Sequence, residues 1–113
     1  MHLSVWQHAV HATAVQHGWW DETRPFGDII ALMHSELSEA YEEYRKGHKP
    51  TDTWFIEGEP CGIPYELADV VIRVLDYFEG IGVDLETMLG EKDRYNQGRS
   101  YKHGGKVDRK SVV

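Results

Sequence analysis

The sequence predicts an all-α protein, a four-helix bundle-like fold completed by oligomerisation. Three observations lead there. Apolar residues recur at helical spacing in four stretches, and no stretch sustains a period of two, so strands are not expected. Gly and Pro punctuate the chain between those stretches, at Gly18 to Pro25, Gly47 to Pro64 and Gly80 to Gly82. Finally, Glu-Leu-Ser-Glu-Ala at 36–40 and Glu-Leu-Ala-Asp-Val at 66–70 look like two copies of one helical unit, 30 residues apart.

The first helix is expected from Ser4, an N-cap residue type, to His17, before Gly18 and the turn-prone segment from Asp21 to Pro25. The second is expected over Phe26 to Lys46, stopped by Gly47. A polar loop with Pro50, Gly58, Pro60 and Gly62 follows. Pro64 suits the first turn of a third helix, where its missing N–H is not needed, and that helix should end near Gly80. Gly82 breaks the chain and Asp84 can cap a fourth helix of about 14 residues. Gly98, Gly104 and Gly105, set among charges, read as an irregular tail.

A chain of 113 residues fits one domain, small enough that assembly with other copies would help it bury surface. With Cys61 alone, an internal disulfide and a cysteine-rich zinc site are both excluded, and a reducing, cytoplasmic setting is expected. The N-terminus lacks a basic region followed by an apolar stretch, and no run approaches the roughly 20 apolar residues that cross a bilayer, so no membrane partner is expected. The net charge of -7 argues against a stable nucleic-acid partner, which would want a basic face. The charge is also unevenly spread. Residues 1–91 hold 5 Lys/Arg against 17 Asp/Glu, and residues 92–113 hold 7 against 2, an acidic body with a basic tail.

At 100° per residue, Ile30, Met33, Leu37, Ala40, Tyr41 and Tyr44 share one apolar arc of the second helix, expected to face the core. Glu36, Glu39 and Glu43 fall within about 60° of one another at its edge. The third helix repeats the pattern, with Leu67, Val70, Val71, Val74 and Phe78 on the arc and Glu66 and Asp69 at its edge. Two neighbouring helices would aim four or five carboxylates at one volume, where like charges repel in partly desolvated surroundings. Arg73 is the main nearby cation. A hard divalent ion with oxygen ligands is therefore the expected compensation, Mg2+ with Mn2+ able to substitute. One Glu-x-x-Glu alone is more often a solvated helical pattern, but two copies at core edges favour the metal.

These residues resemble the MazG-like family of all-α nucleoside triphosphate pyrophosphohydrolases, whose pattern is Glu-x-x-Glu, a variable gap, and Glu-x-x-Asp. The gap here is 26 residues. The resemblance runs from about Trp20 to Lys106 and is strongest over Ile63-Pro64-Tyr65-Glu66-Leu67-Ala68-Asp69-Val70-Val71-Ile72-Arg73. The tail, Asn96-Gln97-Gly98-Arg99-Ser100-Tyr101-Lys102-His103-Gly104-Gly105-Lys106, is similar to that of the short, single-domain members. The resemblance implies a MazG-type fold, with residues 1–98 as the catalytic domain and 99–113 as its basic tail. It implies Mg2+-dependent hydrolysis of a nucleoside triphosphate to the monophosphate and pyrophosphate, in nucleotide-pool control or housecleaning. It carries over Glu36, Glu39, Glu66 and Asp69 as metal ligands, with Glu43 as a further candidate. Either Glu36 or Glu39 is the catalytic group that orients and deprotonates water. A homodimer or homotetramer is also implied.

By the same resemblance the tail contacts phosphate. Lys92, Asn96 and Arg99, spaced by four and three, can share a helical face, and Lys102 and Lys106 are further candidates. Trp19, Trp20, Trp54 and Phe55 lie in or near loops, where an aromatic ring can stack on a base; among them Trp20 and Trp54 are candidate substrate contacts. His8 and His11 lack a third ligand in view and read as a packed or solvated pair. Three other readings stay open: a phosphoribosyl-ATP pyrophosphohydrolase of the same plan, a non-catalytic dimerising helical module, and a di-iron bundle. The last would want Glu-x-x-His, and neither motif here ends in His.

Overall fold

The computed structural model describes residues 2–99. In chain order its elements are α1 (Leu3–Gln16), α2 (Phe26–Arg45), β1 (Trp54–Ile56), β2 (Glu59–Cys61), α3 (Ile63–Ile81) and α4 (Leu85–Gln97). The helix ends follow from local chemistry. Helices α2 and α3 stop by the same device. Gly47 and Gly82 take left-handed φ values of 100° and 74°, and the next N–H turns back onto the helix, His48 to the Glu43 carbonyl and Val83 to the Phe78 carbonyl. Pro64 sits in the first turn of α3. Asp84 caps α4, its Oδ2 accepting from the Thr87 N–H at 3.1 Å and the Thr87 hydroxyl at 2.6 Å. Helix α1 begins earlier than expected: His2 holds the cap position and Ser4 lies inside the first turn.

The loop expected to be strand-free contains a hairpin. Trp54, Phe55 and Ile56 pair antiparallel with Cys61, Pro60 and Glu59 across a two-residue turn, Glu57-Gly58, whose φ values of 49° and 86° match the twist of the strands. The pair closing such a turn exchanges ladder bonds and the next pair does not, so Pro60 falls where no N–H is required. From Cys61 the chain passes directly into α3 through Gly62. At φ 120°, and with the Asp52 carbonyl oxygen 2.3 Å from where a Cβ would stand, Gly62 admits no side chain.

Helix α3 is the centre of the molecule. It packs against α2 on one side and α1 on another, β2 rests on it, and α4 leans on α1. The described residues thus form a helix pair with flanking elements rather than a closed bundle of four. Helices α2 and α3 run antiparallel, as shown by contacts between Phe26 and Tyr77, 5.6 Å between ring centroids, and between Glu36 and Arg73 further along. The α1 contact is partly polar. Gln7, which is buried, donates to Glu79 Oε1 and the Val83 carbonyl and accepts from the Leu85 N–H. His8 pairs with Glu79, and His11 with Asp76.

The apolar arc of α2 is only half used. Ala40, Ile63 and Leu75 are the buried hydrophobic side chains among the described residues. Leu37, Tyr41 and Tyr44, expected in the core, remain 46%, 63% and 57% exposed, and Leu67 and Val71 of α3 are exposed with them. The covered side of α2 is instead that of Ile29, Leu32, Met33, Glu36 and Ala40. An apolar stripe spanning 100° or more is wider than one neighbouring helix covers, and among the described residues α2 packs chiefly on α3. The rotation that results turns the carboxylate edge toward α3. Among the described residues no helix is long and apolar enough to cross a membrane.

Candidate metal centre

The two Glu-containing motifs meet across the α2–α3 seam. Each is one helical turn long, so its two acidic positions lie on adjacent rungs of a helix edge, and antiparallel packing sets one edge against the other. One carboxylate oxygen from each of Glu36, Glu39 and Glu66 lies within 4.8 Å of the others. Glu36 and Glu66 are half-buried and Glu39 is exposed. Burial pushes the Glu66 carboxyl up to about 7, and the neighbouring Glu39, Asp69 and Glu36 charges push in the same direction.

Asp69, one methylene shorter and exposed, is not part of this close group. Its carboxyl is also raised, by partial desolvation first and then by Glu36, against the lowering effect of Arg73. Glu59 of β2 adds to that negative field. The hairpin therefore brings a fifth carboxylate toward the site, one that the helical count had no means of placing. Glu43, one turn beyond Glu39, is turned elsewhere and pairs with Lys46 at 3.6 Å and His48 at 3.5 Å.

Arg73 enters the trio directly. Its Nε donates to Glu36 Oε1 at 3.0 Å and its Nη2 lies 2.9 Å from the same oxygen, in an ion pair whose side chains are only 26% and 13% exposed. The same guanidinium lies over the Trp19 ring, 4.5 Å from its centroid, and Arg24 lies over that ring at 4.3 Å. Trp19 and Arg73 also line a cleft of about 310 Å³ between α1 and α3, bordered by Val10, Ala14 and Ile72. The cleft touches the carboxylate site through Arg73 alone, since none of the trio lines it.

The chain matches no family model, no curated protein and no solved structure.

The remaining site candidates are distributed unevenly. Trp20 is committed to the fold: its indole lies where a Cβ on Gly80 would stand, and its Nε1 donates to Asp76 Oδ1 at 2.9 Å, the oxygen that also meets His11 Nδ1 at 2.8 Å. Trp54 is half-buried and stacked on His48, 4.2 Å between centroids. Lys92 and Asn96 lie on α4, an element packed on α1 rather than α2, and Arg99 lies just after it. The Lys92 and Arg99 cations approach the Tyr95 ring at 5.5 and 5.7 Å. Lys102 and Lys106 lie outside the described residues.

Proposed function

We propose that the chain is a Mg2+-dependent nucleoside triphosphate pyrophosphohydrolase, converting a (d)NTP and water to the (d)NMP and pyrophosphate. The observation that carries the reading is the convergence of Glu36, Glu39 and Glu66 from two copies of one motif. A donor set made only of carboxylate oxygens suits a hard divalent cation, Mg2+ or Mn2+ in its place. Glu36, Glu39 and Glu66, with one oxygen of each within 4.8 Å of the others, would hold such an ion. Asp69, whose charge acts on Glu66 and which feels Glu36 and Glu39, is the candidate to complete the set.

A bound ion of this kind neutralises phosphate oxygens and acidifies a water molecule. The protein's part is division of labour among carboxylates. Glu36 is held by Arg73, whereas Glu39 is exposed and is the better placed of the two to take a proton from water. Glu66, whose carboxyl is raised to about 7, would hold the ion as a carboxylate and so would give up its proton on binding it.

Assembly as a homodimer or homotetramer is part of the proposal. By helical angle, Leu37, Tyr41 and Tyr44 of α2 and Leu67 and Val71 of α3 share one side of the antiparallel pair, away from the carboxylates. A second copy would cover a face too apolar to be left in water.

The deciding experiment is a panel of ribo- and deoxynucleoside triphosphates, with phosphoribosyl-ATP included, incubated with Mg2+ and analysed for pyrophosphate and monophosphate. Release of pyrophosphate from one class supports the reading and names the substrate. No hydrolysis across the panel, together with no Mg2+ or Mn2+ binding by calorimetry, would leave a dimerising helical module.

A further inference from the structure

We infer that Arg73 couples cation entry to anion capture: it is the counter-ion of Glu36 in the cation-free protein, and it turns to phosphate oxygens once a divalent cation takes that carboxylate. The inference rests on the pyrophosphohydrolase reading and adds a role within the same site.

Three features carry it. Glu36 belongs to the trio, so Arg73 and a divalent cation compete for one carboxylate, and a positive charge already in place opposes the arrival of another. The way Arg73 is held also matters. Its Nε hydrogen bond and the close approach of its Nη2 both fall on one oxygen, Glu36 Oε1, instead of spreading across the two oxygens of the carboxylate. A guanidinium fork matches two oxygens of a carboxylate or phosphate, so this geometry leaves its bidentate capacity unspent.

The third feature is the Trp19 ring beneath the guanidinium, 4.5 Å from its centroid. Aromatic stacking holds Arg73 independently of Glu36. When the carboxylate is taken, the side chain is therefore retained at the edge of the site rather than lost to solvent. A lysine in this place would keep the charge but lose both the fork and most of the stacking.

The test is calorimetric and needs no turnover. Mn2+ is titrated into wild type, R73K and R73Q without nucleotide, and inorganic pyrophosphate is then titrated into each Mn2+-saturated protein, with circular dichroism and melting curves reporting the fold. We expect R73Q to bind Mn2+ about tenfold more tightly than wild type, since a competing charge is gone. Pyrophosphate should bind R73Q at least about tenfold more weakly. R73K should fall between the two on both measures. A purely structural clamp predicts that both affinities fall together with the melting temperature, and that result overturns the inference, as do equal Mn2+ affinities in wild type and R73Q. Failure of all three proteins to bind Mn2+ overturns the metal reading itself, and the inference with it.

Discussion

Glu66 of α3 faces Glu39 of α2 across the helix seam, with one carboxylate oxygen of each within 4.8 Å of the other. With burial as the larger cause and this contact next, Glu66 is held up at about 7. A carboxyl raised this far by burial and by neighbouring carboxylates marks a site with surplus negative charge, which a proton or a cation can relieve.

The first prediction concerns pH. Glu66 binds its proton more tightly in the folded chain than at the ordinary value of 4.5, so folding is favoured by protons across this window. Its contribution to stability is greatest at or below pH 4.5 and falls as pH rises through about 7. Without metal, wild type should lose melting temperature relative to E66Q between these limits, and millimolar Mg2+ should abolish that loss. Parallel pH profiles for the two proteins would contradict the raised Glu66 carboxyl.

Substitution separates ligands from bystanders. E36Q, E39Q and E66Q should each lower pyrophosphate release by at least about 100-fold while leaving the helical content intact. E43Q should change it little, because Glu43 is engaged with Lys46 and His48. Near-wild-type turnover in E39Q would remove the proposed centre.

Two glycines in helices should respond in opposite directions. In α3, a Cβ at Gly80 would stand 2.0 Å from the Trp20 ring, so G80A should cost about 2 kcal/mol as Trp20 is displaced. In α4, nothing lies within 4 Å of a Cβ at Gly90, so G90A should stabilise by about 0.5 to 1 kcal/mol through higher helix propensity. Urea unfolding of the two variants measures both, and equal effects would mean that Trp20 does not rest on Gly80.

The exposed apolar side of α2 and α3 predicts assembly. Light scattering at micromolar concentration should give a mass of at least twice the 13.0 kDa of one chain, and Y41E combined with V71E should return it to one chain's mass. A monomeric wild type would refute this.

The carboxylate motifs were legible in the sequence because their chemistry is local. A spacing of three on a helix puts two side chains on one edge whatever surrounds them, and the repeat at 36–40 and 66–70 signals two such edges. The hairpin was not legible, because three-residue strands are too short to display a period of two. Its one signal was Trp-Phe-Ile followed by Glu-Gly, a strand-forming run beside a turn residue that tolerates positive φ. Glu59 and its approach to Asp69 were hidden for the same reason.

By itself, then, the sequence determined the four helices, their glycine stops and the Asp84 cap, all set by bonds within a few residues of the chain. Tertiary structure decided which part of each helix is covered. Helix α2 has an apolar arc wider than one neighbour can bury, and its rotation against α3 left Leu37, Tyr41 and Tyr44 outside while drawing Glu36 inward to Arg73. Whether an acidic edge becomes a solvated face or a site depends on what packs against it, and that depends on residues distant in the chain.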